Sequence, residues 1–161
     1  MHEKDRWVVT GDHLIRNVTP NPLLRRPDEN GVRVKTLVEY CDALQKTRAL
    51  EAEWCLPGHG APFSDHLAVV DSTFAHIERR NNRILQFITP EGATPYEITY
   101  RLFRNLSEIQ LYYCLCVSAS HLELLETRGM LTCTNRDGVR HYSPSTTCSD
   151  QSSSFISNCS S

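Results

Sequence analysis

The sequence predicts an α/β layer, followed by a winged helix-turn-helix domain and a disordered serine-rich tail. Strand and helix patterns alternate through residues 1–90. A capped helix, a longer helical stretch and a hairpin signal then occupy residues 91–143. Beyond them, in residues 144–161, serine dominates and only Phe155 and Ile156 are large and apolar, so burial there cannot offset the entropy of ordering the chain.

The first element is Trp7-Val8-Val9-Thr10, a short strand that stops at Gly11 and needs a neighbour to pair with. Between Asn17 and Gly31 the Pro, Asn, Asp and Gly content predicts an irregular loop, its first part held extended by Thr19-Pro20-Asn21-Pro22. Val34, Leu37, Val38, Cys41 and Leu44 recur with the 3.6 period and predict a helix from about Val34 to Thr47. Glu53-Trp54-Cys55-Leu56 reads as a second strand, closed by Pro57-Gly58-His59-Gly60, where two glycines let the backbone turn tightly around a histidine. A long helix follows, with Ser64 as its N-cap and Leu67, Val70, Phe74, Ile77, Ile84 and Ile88 as its apolar stripe.

Pro90 to Ala93 reads as a linker. Thr94-Pro95-Tyr96-Glu97 then combines proline at the first helical position with a capping-box glutamate, predicting a helix from Pro95 to Arg104. A second helical stretch from Ser107 to Arg128, broken near Val117 to Ala119, turns Leu122 and Leu125 inward and ends at Gly129. Met130 to Cys133 and Val139 to Tyr142 flank Asn135-Arg136-Asp137-Gly138, a hairpin signal. Helix, helix, helix and hairpin is the layout of a winged helix-turn-helix.

Composition narrows the functional classes. The chain has 161 residues, 22% of them charged and 40% hydrophobic, with no long apolar run, which excludes a transmembrane or collagen-like protein. The formal charge of −2 lacks the basic excess of a nucleic-acid backbone binder. From Thr94 to Tyr142 five arginines meet five carboxylates, and Glu123 and Glu126 on the candidate recognition helix would face phosphates with the wrong sign. No DNA partner and no membrane are expected. Seven cysteines, an odd number without a signal peptide, point to reduced thiols in a cytoplasmic protein. No pair has zinc-knuckle spacing, and Cys114 and Cys116 on one helix lie about 200° apart, too far round to share a metal.

Two short motifs carry the chemistry. Gly11-Asp12-His13 follows the first strand and Pro57-Gly58-His59-Gly60 the second, each setting a metal-capable side chain at a strand's C-terminal end. Singly, a loop aspartate is more often a turn former and a histidine between glycines more often a surface residue. On consecutive strands joined by a helix they read together as donors. A carboxylate that can bridge two cations and one neutral imidazole nitrogen suit Zn²⁺, Mn²⁺ or Fe²⁺ rather than Ca²⁺.

Taken in order, Thr10-Gly11-Asp12-His13-Leu14-Ile15, Thr19-Pro20-Asn21, Leu56-Pro57-Gly58-His59-Gly60 and Ala75-His76-Ile77-Glu78-Arg79-Arg80 resemble the C-terminal half of a metallo-β-lactamase-fold hydrolase. The 47-residue spacing from Asp12 to His59 fits as well. Within that superfamily the chain looks most like hydrolases with a C-terminal winged-helix appendage, the group of the β-lactamase-like protein 2 endoribonucleases and bacterial relatives related to glyoxalase II. The resemblance runs over roughly residues 7–143. It implies a partial αββα sandwich, with Asp12 bridging two metals, His59 binding the second, and Zn²⁺ or another divalent transition metal as cofactor, two per complete site. In such a site the cations turn a bridging water into a hydroxide that attacks a carbonyl or phosphorus. His13 corresponds to a motif neighbour, and His76 to a histidine of the long helix; both are candidates for the wall or support of the site. The implied substrate is a small molecule or RNA, and the appendage can cover the substrate cleft or support a homo-oligomer.

The sequence departs from the family in one large respect. The HxHxDH motif, source of the first metal's histidines and of the second metal's Asp-His pair, does not occur in the 161 residues. With two of roughly seven ligands present a two-metal site cannot close, since even one catalytic zinc takes three protein ligands. Two readings follow. One is the C-terminal portion of a metal-dependent hydrolase acting on an ester, thioester, lactone or phosphodiester, truncated and inactive alone. The alternative is a non-catalytic winged-helix binding or regulatory protein that keeps a degenerate hydrolase half.

Overall fold

A computed structural model of the chain describes residues 6–21 and 23–145. His2, Cys148, Cys159 and all but the first two residues of the expected serine-rich tail lie outside the described residues. The elements run β1 (Trp7–Gly11), α1 (Thr36–Arg48), β2 (Trp54–Pro57), α2 (His66–Leu85), α3 (Pro95–Leu102), α4 (Glu108–Thr127), β3 (Leu131–Arg136) and β4 (Val139–Pro144). Two compact units, Met1–Asn82 and Arg83–Ser161, divide the chain within α2.

In the first unit β1 finds the neighbour it needs in β2. The strands pair in parallel, Trp7 opposite Trp54, Val8 opposite Cys55 and Val9 opposite Leu56, and a bulge then brings Gly11 opposite Pro57. Parallel pairing requires a crossover connection, and α1 supplies its helix. Among the described residues this unit holds one two-stranded sheet, against the two full sheets of a complete αββα sandwich. Leu14, Leu37, Leu44, Val70 and Ile77 are buried, as is Cys55. Each of the five aliphatic side chains contributes about 1.5–3 kcal/mol through the apolar surface it removes from water.

The long helix buries Val70, Ile77 and Ile84 of the stripe expected of it, but its face is shifted at the start. Asp65, not Ser64, supplies the first helical carbonyl, accepting from Val69 N–H. Leu67 is 48% exposed, while His66, Val69, Val70, Thr73, Ile77, Asn81 and Ile84 form the buried face. Hydropathy alone misplaces this face because three of its members are polar. His66 is tolerated there since its Nε2 donates to the Leu50 carbonyl at 3.0 Å, and Thr73 because its hydroxyl donates to the Val69 carbonyl at 2.8 Å.

The second unit consists of the end of α2, α3, α4 and an antiparallel β3–β4 hairpin. Both helices start on capping boxes. Thr94 Oγ1 accepts from Glu97 N–H while Glu97 Oε2 accepts from Thr94 N–H at 2.8 Å, and Ser107 with Gln110 repeats the device on α4. The hairpin turns on Asp137 and Gly138, both at positive φ, with Arg136 opposite Val139. Ala93 adds a two-way backbone bridge to Tyr142. Ile84, Ile98, Leu102, Leu122, Leu125 and Tyr142 belong to one apolar core.

The break expected near Val117 to Ala119 is absent, and α4 is one continuous helix. Serines weaken a helix by competing for its backbone groups. Here the hydroxyls are used without breaking it: Ser118 donates to the Cys114 carbonyl and accepts from Thr99 of α3 at 2.9 Å, and Ser120 donates to the Val117 carbonyl. No helix among the described residues is long and apolar enough to cross a membrane.

Candidate metal centre

Both motif residues stand where the paired strands end. Gly11 turns at φ +51 immediately before Asp12, and Gly60 turns at φ +86 immediately after His59, backbone conformations that residues with a β-carbon rarely adopt. The two turns are tied together as Gly58 N–H donates to the Gly11 carbonyl at 2.9 Å. A β-carbon at position 58 would stand 2.8 Å from Asp12 Oδ1, so glycine is what lets the carboxylate lie over this turn. The histidine loop is closed by Cys55 and Phe63, whose N–H groups each donate to the other's carbonyl, at 2.7 and 3.1 Å. Phe63 is buried beneath the Arg16 guanidinium, 5.4 Å from the ring centroid.

These constraints bring Asp12 Oδ1 to 3.6 Å from His59 Nε2, with both side chains largely exposed. Two donors that each lie about 2.0–2.2 Å from a tetrahedral zinc stand roughly 3.3 Å apart, so this spacing is close to that of two ligands on one ion. The donor chemistry is also right, a carboxylate beside an imidazole. The set is nevertheless incomplete: among the described residues no group of three His, Cys, Asp or Glu side chains converges. One catalytic zinc takes three protein ligands. The described residues could therefore offer an ion two donors and do not fit a closed site.

His13, next to Asp12, serves the scaffold. Its Nε2 lies 2.8 Å from Thr47 Oγ1 on α1, and the single Thr47 hydroxyl proton is given to the Ala43 carbonyl. Tyr40 packs edge-on against the imidazole at 5.4 Å and its hydroxyl donates to the His13 carbonyl. Burial pushes the His13 pKa below the usual imidazole value. His76 lies on α2 and lines a groove with the 15–19 segment. Its pKa is lowered first by burial and then by the Arg80 and Arg79 guanidiniums, which favours the neutral ring.

Glu123 is not presented to a ligand as the sequence suggests. It is 1% exposed, and its Oε1 accepts from Arg140 Nη1 at 3.1 Å. The negative charge of the candidate recognition helix is therefore partly internal, and Arg140 is committed to it. Arg136 is exposed. The five cysteines among the described residues are free thiols. Phe63 and Thr47, which hold the two motif loops, escape sequence reasoning because their roles depend on pairing across the fold; Gly58 is legible as a turn residue, but its clearance for Asp12 is not, because that contact also crosses the fold.

No protein-family model matches the chain. It is similar to the probable metallo-hydrolase YqjP of Bacillus subtilis (strain 168), with 29% identity over 131 residues, or 81% of this chain and 41% of that protein. Two solved structures share its fold. A β-lactamase domain protein from Burkholderia ambifaria superposes with a TM-score of 0.75 at 23% identity, over 88% of this chain and 42% of the other. A metallo-β-lactamase family protein from Thermus thermophilus gives 0.70 at 22% identity, over 88% and 43%. The matched span thus has the fold of part of a metallo-β-lactamase domain protein, and the chain covers about two-fifths of the length of these proteins.

Proposed function

We propose that the chain is the C-terminal portion of a metal-dependent hydrolase of the metallo-β-lactamase fold. It contributes Asp12 as the metal-bridging carboxylate and His59 as a ligand of the second metal, Zn²⁺ or another divalent transition ion. The observation that carries this reading is the Asp12–His59 pair itself, held 3.6 Å apart at the ends of adjacent parallel strands. Its incompleteness supports the second part of the proposal: the 161 residues are inactive alone, and the missing donors belong to a preceding segment that carries HxHxDH. The likeness to a probable metallo-hydrolase over 41% of its length agrees with a partial domain. The second unit is read as a winged-helix appendage that covers the substrate cleft or supports assembly. Free cysteines throughout the described residues suit a reducing, cytoplasmic setting. The substrate is an ester, thioester, lactone or phosphodiester, since one fold hosts all four chemistries.

The test is to read the coding sequence upstream of Met1 and express the longer chain it encodes. An in-frame HxHxDH is expected, with metal-dependent turnover of at least one of the four substrate classes by the longer chain only, and abolition by Asp12→Asn. Absence of the motif, or activity that survives Asp12→Asn, would overturn the proposal.

A further inference from the structure

A groove of about 320 Å³ lies in the first unit, between the segment that follows Asp12 and the face of α2. Its walls continue the two turns of the metal-site pair. Ile15 stands three residues beyond Asp12, within about 11 Å along even a fully extended chain, and Asp65 lies six residues beyond His59. Arg16, Thr19, Ser72, His76 and Arg79 supply its polar groups. The one carboxylate on its wall, Asp65, is paired with Arg16. Thr73 also lines the groove, but its hydroxyl proton is spent on the Val69 carbonyl. Arg79 has no carboxylate partner among the described residues, whereas its neighbour Arg80 donates to Asn21. The groove therefore carries two guanidiniums against one carboxylate, with hydroxyl donors between them.

We infer that this groove binds an anionic group, a phosphate or a carboxylate, with Arg79 as its principal charge partner and Ser72 and Thr19 as hydroxyl donors. A guanidinium offers paired N–H donors matched to either oxyanion. His76 completes the wall as a hydrogen-bonding imidazole, and Arg16 is held by Asp65 rather than free to turn away. If the hydrolase reading is right, the groove selects substrates that carry an acidic group a short distance from the scissile bond. Anion binding itself does not need that reading, because none of these residues is a metal donor.

The experiment titrates the metal-free full chain, in the presence of a chelator and at constant ionic strength, with inorganic phosphate and separately with propionate. Amide and histidine-ring NMR resonances report the binding. At least one anion is expected to shift His76 and residues 15–19 and 72–79 saturably, with Arg79→Gln weakening the affinity at least fivefold while leaving the rest of the spectrum in place. Saturation by phosphate alone, or by propionate alone, identifies which oxyanion the groove accepts. No saturable shift with either, shifts confined to other residues, or an affinity unchanged by Arg79→Gln would overturn the inference. A positive titration in a protein whose longer form hydrolyses nothing would leave the groove standing and remove the hydrolase reading.

Discussion

Asp12 and His13 are adjacent in the chain and separate in role. The carboxylate stands exposed over Gly58, while the imidazole turns to α1 and hydrogen-bonds Thr47. That burial has a consequence for stability. The folded-state pKa of His13 lies below its unfolded value, near 6.5, so the unfolded chain binds the extra proton more readily. The neutral form's contribution is complete at pH 7.5, begins to be lost as pH falls through about 6.5, and is gone below the lowered folded value. The urea midpoint should therefore drop between pH 7.5 and pH 5.0, and His13→Gln should show a smaller drop than the parent chain. An identical drop in the variant would contradict this role. The sequence singles out His13 by its place in Gly-Asp-His, but not its direction, because the deciding partners, Thr47 and Tyr40, are distant in the chain.

Among the elements, local chemistry is the most readable. The Thr94–Glu97 capping box, proline at the first turn of α3 and the Asp137-Gly138 turn are each specified by a few adjacent residues, and each forms as expected. Thr94→Ala removes the acceptor for Glu97 N–H and should lower stability by about 1 kcal/mol, read as a shift in the urea midpoint. No shift would mean that α3 is held by packing alone. Two expectations fail where tertiary partners outweigh local preference. Helix α4 runs through Ser118 and Ser120 because their hydroxyls find acceptors one turn back and Thr99 alongside. Leu67 is exposed because His66, hydrogen-bonded to Leu50, takes the buried place beside it.

For the whole molecule, the two-stranded parallel sheet of the first unit sets Asp12 and His59 side by side, and no third donor joins them among the described residues. The juxtaposition of Asp12 and His59 is legible from the order and spacing of short motifs, since both sit at strand ends beside glycines. The groove beside it is not, because Arg16, Ser72 and Arg79 are ordinary surface residues until the fold brings two segments together. The proposed function makes Asp12 and His59 two donors of a metal centre whose remaining ligands are not among the described residues. A zinc titration of the purified chain against a chromogenic chelator tests this most directly. At most one weakly held zinc per chain is expected, lost in both Asp12→Asn and His59→Gln. Two tightly bound zinc ions per chain, or zinc binding unaffected by either substitution, would contradict it.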